Sequence, residues 1–205
     1  YRRTAKAESP RISREGGLLL RKLPFLASCL AICQSFLFLV GVTRVAFPFL
    51  AVNLRGISLE TVGTMVSLSR LTDTFGRYTG GWLSDRIKPG RVILLGVALS
   101  IPMFLFQAGG TNIVTLLIPL AIMTMGFGFT NVGATTFALQ SAPQGAKELA
   151  LGISRASTSV GQTIGPLACG ALIQQLGYDG GFEAMALSSL VVLALVGYGL
   201  KKQHG

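Results

Sequence analysis

From Phe25 onward the sequence is a succession of long apolar runs separated by short polar turns, and this restricts the chain more than any other feature. The runs fall at about 25–52, 60–83, 92–108, 113–140, 149–175 and 182–200. A helix needs about 20 apolar residues to cross the hydrocarbon core of a bilayer, and a longer one tilts. No run alternates apolar and polar residues over about ten positions, as a membrane β-barrel strand must. The predicted fold is therefore all-α and polytopic, with six transmembrane helices. Composition agrees, because 13% of the residues are charged whereas a soluble domain carries about a quarter. The lipid bilayer is the first partner such a chain needs.

The charges that remain are sorted by side. If the basic segment 1–24 is cytoplasmic, that side collects Arg2, Arg3, Lys6, Arg11, Arg14, Arg21 and Lys22, then Arg86, Lys88 and Arg91, then Lys147 and Arg155, then Lys201 and Lys202. That makes fourteen of the eighteen cations. The opposite side holds Arg55 with the acids Glu60, Asp179 and Glu183. Such a bias follows the positive-inside rule and predicts a multi-pass protein of the plasma membrane with both ends cytoplasmic. The net charge of +10 thus reads as a topology signal, with nothing to support nucleic-acid binding. Residues 1–24 form a basic cytoplasmic loop in this reading, and 25–205 a six-helix bundle with a short cytoplasmic tail.

Metal and enzyme chemistry find little support. Cys29, Cys33 and Cys169 all lie in apolar runs, and the single histidine is in the C-terminal tail. They read as small packing residues, with neither a metal site nor a disulfide expected. No run holds a histidine or paired carboxylates, so no catalytic residue and no cofactor is assigned.

Two stretches carry more specific information. "TGGWLSDRIKPGRVILLG" (79–96) gathers glycines, a carboxylate and cations between two apolar runs. Gly76 and Gly80 form a small-xxx-small pair suited to close helix contact in lipid. Gly80 and Gly81 close the second run, Pro89 and Gly90 are expected to make the turn, and Asp85 can accept from a neighbouring helix end or pair with Arg86 or Arg91. The second stretch, "SRASTSVGQTIGPLACGALI" (154–173), spaces Ser157, Gly161 and Gly165 as a groove, and Pro166 can kink its helix.

"GGWLSDR…GR" resembles the loop between the second and third helices of a six-helix half in the major facilitator superfamily, with Gly81, Leu83, Ser84, Asp85, Arg86, Gly90 and Arg91 in the matching places. Lys88-Pro89 lengthens that turn, and Val92 stands where the family has a further cation. The resemblance implies a cytoplasmic latch: Asp85 the acceptor, Arg86 and Arg91 nearby donors, Arg155 a further partner. Gly161, Gly165, Pro166 and Gly170 are similar to the Gly-Pro fifth helix best known in the family's antiporters. Members have two such halves, so the chain's protein partner would be another six-helix half, or a second copy. The C-terminal half is favoured, because the chain lacks an initiator methionine and the fourth run lacks an arginine; "GVTRVAFPFL" (41–50) points instead to an N-terminal half.

Charges inside the runs mark a possible cavity, since an Arg or Asp at a helix centre costs about 2.5–3.5 kcal/mol on insertion scales. Arg70, Asp73 and Arg77 share one helix face, and Asp73 can pair with either arginine. They could bind an anionic or polar solute, pass a proton through Asp73, or compensate one another. Arg44 has no acid within a helical turn. Asn131, in "GFGFTNVGATT" (126–136), adds a polar and flexible face. The functional expectation is secondary active transport of a small solute by alternating access, with a proton gradient as the candidate coupling and drug or metabolite efflux by antiport preferred. Sugar or organic-anion uptake and a non-transporting membrane scaffold are the alternatives.

Overall fold

The computed structural model describes residues 22–202, and within them every long element is helical. Helix α1 runs Leu23–Leu54, α2 Leu59–Arg86, α3 Pro89–Gly109, α4 Ile113–Ser141 and α5 Lys147–Lys202. The loop expected at 1–24 lies outside the described residues except at its end, where Leu23 and Pro24 open α1. Proline suits the first turn because its missing N–H would have no helical partner there.

The described residues form five long helices and not the expected six, because the runs 149–175 and 182–200 share α5. Its interior holds one non-helical residue, Gly177, at φ 72° and ψ −178°. The chain reverses there. A straight helix would separate residues 173 and 181 by about 12 Å, yet a Cβ placed on Gly181 would lie 3.5 Å from the Cα of Ile173. Only glycine takes a positive φ without steric cost, which explains the residue at the bend.

Four of the helices, all but α2, are long and apolar enough to cross a membrane by length and hydropathy. Helix α2 is 28 residues long, about 42 Å, but it is built inside out. Leu68, Leu71, Phe75, Tyr78 and Trp82 point outward, while Ser69, Asp73, Gly76, Gly80 and Ser84 are buried. A helix of a water-soluble protein would face the other way, so α2 is suited to an apolar exterior.

Helix α1 packs most extensively on α5, and α4 lies against both α2 and α3. Small residues set these distances. A Cβ on Gly161 or Gly165 would collide with the carbonyls of Cys33 and Leu37 on α1, and one on Gly128 would lie 2.6 Å from the carbonyl of Asp73. Hydroxyls join α2 to α4: Thr72 Oγ1 and Thr124 Oγ1 are 2.8 Å apart, and Thr124 donates to the Ser69 carbonyl at 2.9 Å. Phe38, Phe104 and Phe127 meet in the core, with ring centroids 5.3 and 6.3 Å apart.

One end of the bundle is basic. Lys88, Arg91 and Lys201 border a cavity of about 650 Å³ there with Ser141, and Lys22 donates to the Ser141 carbonyl at 3.3 Å. At the other end Arg55 donates to the Ala108 carbonyl at 3.4 Å.

Candidate functional site

At mid-depth the bundle carries a cavity of about 350 Å³ whose polar lining is Arg44, Arg70, Arg77 and Gln162, over a floor of Phe36, Leu39 and Val40. Three helices build it. On α1, Arg44 sits within a π-helical turn, Val42–Ala46. Pro48 explains that widening: it offers no N–H to the Arg44 carbonyl, and its ring crowds that carbonyl. On α5, Pro166 likewise withholds the helical donor from the carbonyl of Gln162.

Helix α2 supplies the remaining charges, and each is held differently. Asp73, 8% exposed at its side chain, receives both Nε and Nη2 of Arg77, the latter at 2.9 Å to Oδ2. The Arg77 guanidinium also lies 5.8 Å from the Phe36 ring centroid. Of the two pairings open to Asp73, this is the one formed. Arg70 turns instead to α1, donating to Thr43 Oγ1 at 2.7 Å, while that hydroxyl donates to the Leu39 carbonyl. Arg44 is exposed and makes no hydrogen bond or ion pair with the described residues. The sequence expectation thus missed Thr43 and Phe36, although Thr43 adjoins Arg44 and a hydroxyl beside an intramembrane cation is itself a signal.

The candidate latch has a different shape from the expected turn. Helix α2 continues through Arg86, and α3 begins at Pro89, leaving only Ile87 and Lys88 as connection. Pro89 and Gly90 therefore do not make the turn: proline occupies the first turn of α3, and Gly90 packs against the Leu200 side chain. Asp85 is exposed at the end of α2 and has no ion pair among the described residues. Arg86 stacks over Trp82, 4.0 Å from its ring centroid. Exposed Arg91 borders the basic-end cavity, and Arg155 is exposed on α5; neither is paired with Asp85 among the described residues.

The remaining candidates separate. Gly81 and Gly170 make only ordinary contacts, with Val132 and Val45 each 3.9 Å from an added Cβ, so of the glycines expected to pack closely between helices Gly76, Gly80, Gly161 and Gly165 do so. Half-buried Asn131 is on α4 and does not border the arginine cavity. The three cysteines are free thiols; Cys29 and Cys169 are buried and Cys33 is partly so. No cluster of potential metal ligands occurs among the described residues.

Comparison with known proteins gives this arrangement a family. The model of the Major Facilitator Superfamily matches residues 25–204. An uncharacterized MFS-type transporter of Methanocaldococcus jannaschii is 26% identical over 136 residues, which are 66% of this chain and 35% of that protein. Two crystal structures of a peptide transporter POT mutant, one with sulfate and one with alafosfalin, superpose with TM-scores of 0.74 and 0.75. Each is 16% identical to this chain and covers 87% of it and 38% of the POT chain. The chain spans little more than a third of the length of these relatives. A family match across nearly every described residue, on a helical bundle whose exterior is apolar, establishes that the chain is an integral membrane protein belonging to the Major Facilitator Superfamily.

Proposed function

We propose that the chain forms one six-crossing half of a secondary active transporter that moves a small solute by alternating access. The reversal at Gly177 supports six crossings, with the two arms of α5 counted separately. A straight 56-residue helix would extend about 84 Å, yet Lys147 follows the basic end of α4 and Lys201 borders the cavity at that same end. The facing half, or a second copy, would close the arginine cavity. The observation that carries the reading is that cavity: a polar, charged hollow at mid-depth in a bundle with an apolar exterior.

The basic end is assigned to the cytoplasm of the plasma membrane, and Asp85 to a latch that engages the facing half when the cytoplasmic mouth is closed. Its exposure at a helix end, with no ion pair among the described residues, supports this role. Coupling to a proton gradient would use Asp73; the hydrogen bonds it accepts from two nitrogens of Arg77 favour charge compensation instead. Efflux by antiport rests on the glycine and proline pattern of α5, and close packing of Gly161 and Gly165 on α1 accounts for those glycines without it. Counterflow in proteoliposomes tests the carrier: Asp85→Asn in the intact transporter should slow exchange severalfold and leave solute affinity unchanged. A large loss of affinity with normal exchange would overturn the latch assignment, and non-saturable flux would overturn the carrier.

A further inference from the structure

Resting on the carrier reading, we infer that the solute is an organic anion, held through a carboxylate or phosphate group by Arg44 and Arg70. The charge balance of the cavity points to this. Three guanidinium groups border it, and one carboxylate, Asp73, stands beside them, already occupied by Arg77 through two donors. The cavity keeps a net charge of +2, and Arg44 and Arg70, which border it together, form no ion pair among the described residues. A surplus of positive charge that one carboxylate, already engaged by Arg77, does not balance is unfavourable in the empty site, and a bound oxyanion offsets it.

The geometry also orients the donors. Thr43 takes one Nη of Arg70 at 2.7 Å and steadies that guanidinium toward α1, where Arg44 projects from the π-helical turn. A guanidinium held this way still has donors for a carboxylate or phosphate, and charge-assisted bonds of that type are the strong ones. Gln162 enters from α5 with an amide for the rest of the solute, and Phe36, Leu39 and Val40 give an apolar floor. An organic anion matches this combination; a quaternary or primary amine does not.

Binding to the purified intact transporter, measured by calorimetry and thermal stabilisation, separates this claim from the carrier reading because it requires no flux. The probes are succinate, benzoate and glycerol 3-phosphate, each beside its neutral analogue succinamide, benzamide or glycerol, with choline as the cation. At least one anion should bind tenfold or more tightly than its analogue, and the carboxylate and phosphate arms identify the group preferred. Arg44→Gln and Arg70→Gln should each weaken that anion at least tenfold, Arg44→Lys should restore part of the loss, and Arg55→Gln at the far end should change nothing. Arg44 is exposed, so its variants keep the test decisive if Arg70→Gln folds poorly. Were a carboxylate of the facing half the true counter-ion, anions would bind no better than amides, and the inference would fall. Choline binding best, or anion binding indifferent to Arg44 and Arg70, would overturn it equally. Anion binding without counterflow would contradict the carrier and leave the anion site standing.

Discussion

The Asp73–Arg77 pair should respond unequally to loss of either partner. The Asp73 side chain is 8% exposed and that of Arg77 40%. Replacing Arg77 by Met strands a buried carboxylate, and breaking a buried pair this way costs about 3–5 kcal/mol. Asp73→Asn instead leaves a cation at the edge of a cavity that water can enter. The surviving charge is then partly solvated, and the amide still accepts one bond, so the cost falls to about 1–2 kcal/mol. The double variant Asp73→Asn with Arg77→Met removes both charges and should recover about 2 kcal/mol relative to Arg77→Met alone. Unfolding free energies in mixed micelles, followed by circular dichroism, provide the comparison. Equal costs for the two single changes, or additive costs in the double, would refute the view that Arg77 serves chiefly to neutralise Asp73.

Three further outcomes follow from the packing. Gly165→Val places a side chain against the Leu37 backbone and should cost about 1–3 kcal/mol of stability, as overpacking does, while Gly63→Ala, with nothing within 4 Å of the added Cβ, should be neutral or slightly stabilising in the same assay. Gly177→Ala forces a side chain into a positive-φ, extended conformation that essentially only glycine adopts and should cost about 1–3 kcal/mol, measurable as a lower thermal midpoint. Thr43→Val removes the acceptor that steadies Arg70; it should weaken anion binding severalfold in calorimetry and leave the Asp73–Arg77 pair unaffected.

Much of the fold is legible in the sequence because lipid imposes a simple code. Apolar runs mark α1, α3, α4 and both arms of α5, and the small-residue spacing of α2 identifies its inward face. Helix α2 is harder, since its polar residues lower its hydropathy while facing inward, and only the stripe Leu68, Leu71, Phe75, Tyr78, Trp82 shows the exterior it presents. The reversal within α5 depends on one dihedral at Gly177 among three glycines in "GYDGG", and composition does not choose between them. Pro89 suits a turn and a helix start equally; what decides is that α2 keeps its hydrogen bonds through Arg86, with the N–H of Ile87 reaching the Leu83 carbonyl at 2.8 Å. In the cavity the face shared by Arg70, Asp73 and Arg77 follows from helical periodicity. Which arginine takes Asp73 does not, because Thr43 on another helix draws Arg70 away.

The decisive measurement asks whether the arginine face meets water or lipid in the working protein. Gln162→Cys, placed in the intact transporter with Cys29, Cys33 and Cys169 replaced by Ala, offers one thiol at that face. If the face lines a solute pathway, a charged, membrane-impermeant thiol reagent will modify this cysteine, and a solute that fills the cavity will slow the reaction. Modification by a lipid-soluble reagent alone, with no protection by any transported solute, would place Gln162 against the bilayer and contradict the account.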